Sequence, residues 1–419
     1  MIKKIIVSLC LLVSLSALAQ EGTSSPYSFY GIGDIKFKGT VDTRSMGGVS
    51  VFPDSIHLNL QNPAQFASLK LTVFGIGGTH ANTKSKTETQ EAKARRTAFD
   101  YLAIGIPVGK LGFGFGLIPY SSVGYKIETL SNDASPLYSR YNGIGGVNKV
   151  FLGAGYKLTK KINIGADIQY NFGTIETENL RYQTGANFIQ YGTRETNISG
   201  IKGFNVNFGA TYQTKLNAKQ TFFSSLTYTP ESELNLNNSR SIDLIQFSSG
   251  DRIIPIETLE VPVDDTTIKL PSKLAFGSGF GEVKKWLIGG EVTFLNTSVT
   301  SNRFTDIEGA SFENATRYSL GGYFIPNFNS YSSYFKRITY RAGLRYENTG
   351  LVIQGKSITD TAVNLGFGLP LGGTFSKINI GLEMGKRGTT YYNLVEENYF
   401  NISVGLSLSD RWFVKRKID

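Results

Sequence analysis

Hydrophobic and polar residues alternate with a period of two through most of this 419-residue chain. The clearest example is residues 400–409, where apolar side chains at even positions alternate with polar or small ones at odd positions. Residues 162–172, 338–347, 362–369 and 378–385 repeat the pattern. Such alternation predicts β-strands with one apolar and one polar face. A soluble β-sandwich, with its apolar faces turned inward, would give the same alternation.

Two features favour a membrane barrel over a sandwich. The alternating segments run for about 10 to 15 residues, whereas globular strands have about 5 or 6 and membrane-spanning strands need about 9 to 11. Charged residues also lie in mid-strand on the polar face, which suits a polar lumen. The predicted polar lumen residues are Asp167, Glu291, Arg341, Arg345 and Glu383.

Fourteen alternating segments can be counted, and an even number closes an up-and-down barrel. The chain is therefore predicted to be all-β, with a fourteen-stranded antiparallel transmembrane β-barrel over residues 70–410 and a short periplasmic tail at 411–419. The predicted strands are 70–80, 97–108, 111–126, 143–157, 161–173, 197–213, 219–230, 272–282, 285–298, 312–325, 335–348, 358–369, 375–387 and 398–410.

The predicted connections alternate between short and long. Outer-membrane barrels have short periplasmic turns and long external loops, so the long set is predicted to be external. We also expect Trp286 and Trp412, which flank strands, to lie near the two membrane interfaces as part of aromatic girdles. The predicted long loops are 81–96, 127–142, 174–196, 231–271, 299–311, 349–357 and 388–397.

Residues 1–19 have the features of a secretory signal peptide. Lys3 and Lys4 precede an apolar run that is too short to span a membrane as a helix, and Ala17-Leu18-Ala19 is a small-x-small cleavage site. Cleavage would remove Cys10, the one cysteine, so the mature chain would have no thiol chemistry. Export, together with the strand pattern, predicts that the protein is located in the cell outer membrane.

Residues 20–69 do not fit the strand pattern. They contain Asn62-Pro63-Ala64, a turn and helix-start signal, and several aromatic residues that require burial. A flexible periplasmic tail is one interpretation. The sharper one is an N-terminal plug packed inside the barrel, to which Gly47 and Gly48 also belong.

This region carries a family resemblance. Arg44-Ser45-Met46-Gly47-Gly48-Val49-Ser50-Val51, followed by Asn62-Pro63-Ala64, resembles the N-terminal hatch of FadL-type outer-membrane transporters. Ser25-Pro26-Tyr27-Ser28-Phe29-Tyr30-Gly31 resembles the Bacteroidetes-type branch, and the strand start at 270–277 also resembles the family. The resemblance covers nearly the whole mature chain. It implies a fourteen-stranded barrel with an N-terminal plug that carries hydrophobic compounds.

Composition argues against catalysis. Charged residues make up only 18% of the chain, and it has two histidines, His57 in the predicted plug and His80 at a predicted strand end. Zinc sites use clusters of cysteine, histidine and carboxylate, which this pattern does not supply. Gly112, Gly114 and Gly116 do not form a dinucleotide fingerprint, because no helix follows them. We therefore expect no catalytic residues, no metal, no cofactor and no enzymatic activity.

The charge distribution indicates which partners to expect. Lysines and arginines are scattered and often lie at the short turns, which favours anionic headgroups of outer-membrane lipid over nucleic acid. Loop 81–96 is basic and could contact lipopolysaccharide phosphates, or it could be a solvated charged loop. Loop 231–271 has eight acidic and three basic residues and is the predicted site for a protein partner, or alternatively a lid.

Two functions are compatible with these observations. The first is passive uptake of a hydrophobic small molecule through the barrel, as the resemblance implies. The second is a non-transporting role as an accessory or docking barrel of an envelope machine, in a secretion or outer-membrane assembly complex. The polar lumen favours transport, and the acidic loop favours a partner.

Pro119 lies inside the third alternating segment and removes a ladder donor there. FadL-type barrels have a kink in the third strand that opens the wall sideways to the lipid. The hypothesis is that a lateral gate forms here, with Asn62-Pro63-Ala64 packed beneath it. The alternative is that the strand ends at Ile118 and an external loop begins. The predicted gate residues are Pro119, Tyr120, Ser121, Ser122 and Gly124.

Overall fold

The computed structural model describes residues 22–131, 137–183, 191–248, 252–302, 309–372 and 375–412. The predicted signal peptide lies outside these residues, as does most of the predicted C-terminal tail.

Fourteen antiparallel strands form a closed barrel, which confirms the predicted fold class. Each predicted strand overlaps one observed strand, and most observed strands are longer at the end that carries the predicted long loops. The barrel strands are β2 (Thr72–Lys86), β3 (Glu91–Val108), β4 (Leu111–Leu130), β5 (Leu137–Lys157), β6 (Ile162–Gln183), β7 (Tyr191–Lys215), β8 (Thr221–Thr229), β12 (Lys273–Glu282), β13 (Trp286–Leu295), β15 (Ala315–Phe324), β16 (Thr339–Ile353), β17 (Lys356–Pro370), β18 (Lys377–Gly388) and β19 (Glu396–Asp410).

Two pairings between strands far apart in the chain complete the ring. The last strand, β19, pairs with the first, β2, from Asp410 opposite Thr72 to Glu396 opposite Lys86. The other joins β8 to β12 across the long insertion between them. Closure removes the exposed edges that an open sheet would present.

The apolar face of the alternating strands points outward. On β19, Phe400, Val404 and Leu408 are exposed, whereas the intervening Ser403 and Ser407 are buried. This orientation is opposite to that of a soluble sandwich. It gives the barrel an apolar band for lipid and a polar inner wall.

Within the described residues, five further strands and six short helical segments are not members of the ring. The strand β9 (Ser232–Ser248) pairs with the part of β7 that extends beyond the apolar band, and both β10 (Arg252–Val261) and β11 (Thr266–Leu270) pair with β9. The helical segments are one α-helix, α1 (Val41–Arg44), and five 3₁₀-helices, Pro26–Phe29, Pro63–Ser68, Thr297–Val299, Phe335–Arg337 and Tyr391–Asn393. The further strands are β1 (Asp34–Ile35), β9 (Ser232–Ser248), β10 (Arg252–Val261), β11 (Thr266–Leu270) and β14 (Ala310–Phe312).

The two ends of the barrel differ, and we name them the short-turn end and the long-loop end. Short connections such as 109–110 and 158–161 join strands at the short-turn end. At the long-loop end, regular strand extends into most of the predicted loops. Residues 81–96 form a hairpin of β2 and β3 around Thr87–Gln90, and most of 231–271 belongs to β9, β10 and β11.

The two tryptophans do not mark two interfaces, contrary to the prediction. Trp286 begins β13, and Trp412 follows the end of β19 at Asp410. Both strand ends belong to the short-turn end, because Asp410 pairs with Thr72 at the start of β2 and Trp286 follows the turn after Glu282. Flanking a strand does not by itself specify which end of the barrel a residue occupies.

Among the described residues, no helix has the length and apolar character needed to cross a membrane.

Candidate functional site: the barrel interior

The N-terminal segment, defined here as the described residues 22–69, lies against the inward faces of the barrel strands. Near the long-loop end, Ile32 packs into a buried cluster with Val123 of β4 and Leu234 of β9. Further along, Val41, Leu58 and Phe66 belong to a second cluster with inward residues of the wall. The chain thus crosses the interior from one end of the barrel to the other.

Asn62 sets the position of the 3₁₀-helix Pro63–Ser68. Its side-chain oxygen accepts a hydrogen bond from the backbone N–H of Ala64 at 3.0 Å, and Pro63 occupies the first helical position. Its side-chain nitrogen donates to the carbonyl oxygens of Ala210 and Leu226, at 3.2 and 3.3 Å. One fully buried amide therefore starts the helix and joins it to β7 and β8.

Glycines on four neighbouring strands give this helix its space. Gly112, Gly155, Gly165 and Gly209 are paired in register from β4 to β7. A Cβ atom at Gly165 would lie 2.6 Å from the Ala64 nitrogen, and one at Gly112 would lie closer still to the Phe66 carbonyl. The helix backbone thus rests directly on the backbone of the wall, as expected of small residues on a barrel wall.

Gly47 and Gly48 form a second close contact. Both have positive φ, +70° and +97°, which side chains other than glycine rarely adopt. They follow α1, and the backbone here touches Gly343 of β16, where a Cβ atom would lie 2.2 Å from the Gly47 nitrogen. This turn therefore requires glycine on both sides of the contact.

Ion pairs tie the segment to the wall. Asp34 accepts a hydrogen bond from Arg387 of β18 at 2.7 Å. Arg44 lies 3.2 Å from Asp100 of β3, and Asp42 pairs with Arg341 of β16. These side chains are mostly buried, and losing one partner of a buried pair leaves the other charge uncompensated.

The five predicted lumen residues all point inward, but they do not form one cluster. Glu291 accepts hydrogen bonds from the backbone and side chain of Ser50, and Asp167 accepts one from Asn207 at 2.9 Å. Arg341 binds Asp42 of the segment. Only Arg345 and Glu383 bind each other, at 3.1 Å, in a network that also includes Glu347 and Asp360.

A small polar cavity remains between the segment and the wall. Its volume is about 190 Å³, and it is lined by the charged side chains of Asp34, Arg44, Asp100, Arg387 and Glu397. Acidic and basic side chains both line the cavity, so it is polar and its positive and negative charges are roughly balanced. An apolar cargo would not be stabilised in such surroundings.

The wall is incomplete between β3 and β4. Their pairing runs from Val108 opposite Leu111 only as far as Leu102 opposite Leu117. Beyond that point β4 stays paired with β5, with an irregularity between Pro119 and Ser121, and β3 stays paired with β2. The strand therefore does not end at Ile118, and a cavity of about 650 Å³ lies beside the unpaired stretch.

The start of the N-terminal segment fills the inner side of this gap. The short strand β1 pairs with β4, Asp34 opposite Ser122 and Ile35 opposite Ser121. Ser28 also accepts a hydrogen bond from the Gly124 N–H at 3.1 Å. Tyr120 instead packs against Lys149, whose Nζ lies 4.2 Å from the ring centre.

The predicted partner of the gate is therefore wrong. Asn62, Pro63 and Ala64 do not lie beneath Pro119–Gly124, because the glycine row holds them near the short-turn end. Residues 22–36, and not Asn62–Ala64, lie beneath Pro119–Gly124.

Each histidine contacts one polar side chain. His57 lies 2.8 Å from Asp54 within the segment, and His80 lies 2.8 Å from the Thr97 hydroxyl. His80 is in the middle of β2 rather than at a strand end as predicted. Within the part of the chain that the structure describes, no group of three His, Cys, Asp or Glu residues could hold a metal ion.

The sequence-based interpretation missed most partners of the segment on the wall. The sequence pattern did not single out Asp34 in the segment, and it did not single out Arg387, Asp100 or the glycines beyond β4 in the wall. The glycines carried a usable signal in the sequence, since they recur on the polar face of successive alternating strands. The ion pairs carried none, because each joins residues far apart in the chain.

Replacing Gly165 with alanine should displace the Asn62 helix. The added Cβ would overlap the helix backbone, and overpacking of this kind costs about 1–3 kcal/mol. We expect a lower unfolding midpoint in denaturant for Gly165→Ala. The matched control is Gly290→Ala, where the nearest atom is 3.4 Å away; equal loss in both variants would contradict the tight contact.

The Asp34–Arg387 pair should make the barrel sensitive to acid. Burial alone would raise the pKa of Asp34, but Arg387 and Lys36 outweigh it and hold its pKa below the usual value. The ionised carboxylate therefore stabilises the fold above pH about 4, and this contribution is lost as the pH falls through the folded-state pKa. The thermal midpoint of wild type should exceed that of Asp34→Asn at pH 7, and the difference should shrink on acidification.

Asp410→Asn is the control for this experiment, because Asp410 is exposed at the end of β19. A wild-type minus Asp34→Asn difference that stays constant with pH would show that the Asp34 charge does not anchor the segment.

Comparison with solved structures shows the same fold. The Ralstonia pickettii toluene transporter TbuX superposes with a TM-score of 0.60 at 15% identity, covering 89% of this chain and 99% of that one. The Pseudomonas putida toluene transporter TodX gives 0.58 at 16% identity, covering 91% and 100%. A Pseudomonas aeruginosa FadL homologue gives 0.53 at 12% identity, covering 90% and 98%. The chain therefore has the β-barrel fold of these three proteins.

No curated protein matches the sequence. A family model described as BamG matches residues 1–419, the whole of the chain. The chain therefore belongs to the BamG family.

Proposed function

We propose that the protein is a docking barrel: a non-transporting subunit of an envelope complex in the outer membrane, with its short-turn end in the periplasm. The observation that carries this proposal is the extension formed by β9, β10 and β11 at the long-loop end. Membership of the BamG family favours an outer-membrane assembly complex over a secretion complex. The FadL-type fold supports the outer-membrane location.

The extension has two different faces. Leu234 and Leu236 of β9 and Ile268 of β11 point inward and pack into the buried cluster that contains Ile32. On β10, by contrast, Ile254, Ile256 and Leu259 are 42%, 51% and 62% exposed. A group of large apolar side chains outside the membrane band is typical of a surface that another protein covers.

The position of β10 supports an aqueous setting for this surface. The outward face of β7 is apolar at Phe204, Val206 and Phe208 and becomes charged at Lys202. The strand β9 pairs with β7 from Lys202 upward, and β10 pairs with the far half of β9. The exposed apolar residues of β10 therefore have no lipid to cover them.

Several acidic residues of the predicted partner loop already have partners within the chain. Asp243 binds Arg194, Glu231 binds Lys269, and Asp265 accepts hydrogen bonds from Asn237 and Asn238. The apolar side chains of β10 are thus better candidates for the contact than the acids.

Affinity purification in mild detergent tests the proposal. Wild type should bring down a large partner in stoichiometric amount, and Ile254→Asp/Leu259→Asp should lose it, because a charge cannot be buried in an apolar contact without cost. Leu216→Asp, which changes an exposed leucine in a short turn at the opposite end, should keep the partner. Recovery of wild type as a clean monomer would overturn the docking role.

The gap between β3 and β4 favours a second candidate, passive uptake of a hydrophobic small molecule with lateral release. A cavity of about 650 Å³ lies beside Pro119, Ser121 and Ser122 and opens toward the region where β3 and β4 are unpaired. Release through the wall would spare an apolar cargo the aqueous periplasm, where each exposed CH₂ costs about 0.8 kcal/mol. The names of the toluene transporters TbuX and TodX are compatible with such cargo.

Uptake of a hydrophobic fluorescent tracer into liposomes containing the barrel tests this second candidate. Pro119→Val should slow uptake, because it restores the missing ladder donor and favours a regular strand beside the gap. Pro107→Val is the matched control, since Pro107 is also in a wall strand but lies in the paired part of β3. Equal uptake by wild type, Pro119→Val and empty liposomes would remove the transport role.

Two further proposals concern ancestry and lipid. We propose that the chain belongs to the Bacteroidetes-type branch, on the basis of residues 25–31. In the structure these residues include the 3₁₀-helix Pro26–Phe29, which is capped by Ser25. We propose that the 81–96 hairpin contacts lipopolysaccharide phosphates. The charge available for it is reduced, because Lys84 pairs with Glu91 at 2.8 Å.

A further inference from the structure

A groove of about 680 Å³ runs along the outer wall over β13, β15, β16 and β17. Its floor is formed by Gly322 and Ala342, which pair in register and carry no large outward side chain. Its sides are formed by Ile288, Leu320 and Leu365. The groove lies within the apolar band of the barrel and is therefore open to acyl chains.

Aromatic side chains mark the short-turn end of the groove. Trp286, Phe324, Tyr340 and Phe367 line it there, and Tyr340 packs edge-to-face against Phe367. Aromatic residues in this position are typical of the level where lipid headgroups begin.

The connection 325–338 continues directly from this end of the groove. It joins β15 to β16 and is the longest connection at the short-turn end within the described residues. Tyr331 is fully exposed and Phe335 is 72% exposed. The Tyr340 hydroxyl donates to the Phe335 carbonyl at 3.2 Å, which holds the connection against the rim of the groove.

Positive charge accompanies these aromatic residues. Lys284 lies 4.7 Å from the ring centre of Phe328, and the Arg337 guanidinium lies 5.4 Å from that of Tyr334. The Nε of Arg337 is buried without a hydrogen-bond partner. Within the described residues, neither these two side chains nor Lys336 forms an ion pair, so their charge is available to a ligand.

We propose that the groove and the 325–338 connection bind one anionic phospholipid of the inner leaflet. An acyl chain lies over Gly322 and Ala342, and the phosphate binds Lys336 and Arg337. Charge complementarity selects the anionic lipid, and the apolar groove fixes where it sits. The inference rests on the membrane orientation given above and is independent of whether the barrel docks or transports.

Native mass spectrometry of the purified full-length barrel tests the site, with phosphatidylglycerol and phosphatidylcholine of identical chains as probes. Wild type should bind one phosphatidylglycerol in preference to phosphatidylcholine. K336Q/R337Q should weaken phosphatidylglycerol binding about tenfold, equivalent to about 1.4 kcal/mol, and leave phosphatidylcholine binding unchanged. Retained phosphatidylcholine binding also shows that this variant is folded.

Matched variants separate a site from general attraction. K160Q/K161Q removes two exposed lysines from another short turn and should leave phosphatidylglycerol binding unchanged. Ala342→Phe fills the groove and should weaken binding of both lipids, whereas Ala166→Phe, outward on β6, should weaken neither. An equal effect of the two charge variants, or no effect of Ala342→Phe, would overturn the proposal.

A photo-crosslinking residue placed at position 342 in cells distinguishes lipid from protein. Lipid adducts without a discrete protein adduct are expected. A single discrete protein adduct would show that a partner chain covers the groove, and would overturn the lipid assignment.

Discussion

The direct contact between the backbone of the 3₁₀-helix Pro63–Ser68 and the glycine row of β4 to β7 is the constraint on which the interior depends. Gly112, Gly155, Gly165 and Gly209 have no Cβ atom to hold the helix away from the wall. This closeness lets Asn62 reach the carbonyl oxygens of two strands. Once the helix is fixed at the short-turn end, the rest of the segment has to fit the remaining interior.

The strands were predictable because the two faces of each strand lie in different environments. One face meets lipid and the other meets the polar interior, which imposes alternation of apolar and polar residues over the whole membrane thickness. Each of the fourteen strands therefore shows this alternation in the sequence. Beyond the apolar band the two faces are no longer so distinct. The sequence pattern therefore predicts loops at the 81–96 hairpin and at the far ends of β6 and β7, where the structure has strand.

The interior was predictable only where its signal was local. Asn62 followed by Pro63 is a helix-start signal within two residues, and the structure has a helix there. The partners of that helix depend on strand register across four strands, and the pairs Asp42–Arg341 and Asp34–Arg387 join the two ends of the chain. No spacing rule links such residues. The polar inner wall was therefore expected, but its ion pairs with the N-terminal segment were not.

Release of a cargo through the gap would require β1 to move, whereas anchoring of the N-terminal segment requires β1 to stay in place. The strand β1 occupies the free edge of β4, and Asp34, one of its two residues, is held by Arg387. A cargo leaving through the gap would have to displace β1 and leave the buried Arg387 charge without its partner, which is costly. A docking role requires no such opening, because the contact surface proposed for it is on β10, while the inner side of the extension already packs over Ile32. The same ion pair that stabilises the closed interior therefore weighs against passage and in favour of a barrel that acts through its outer surface.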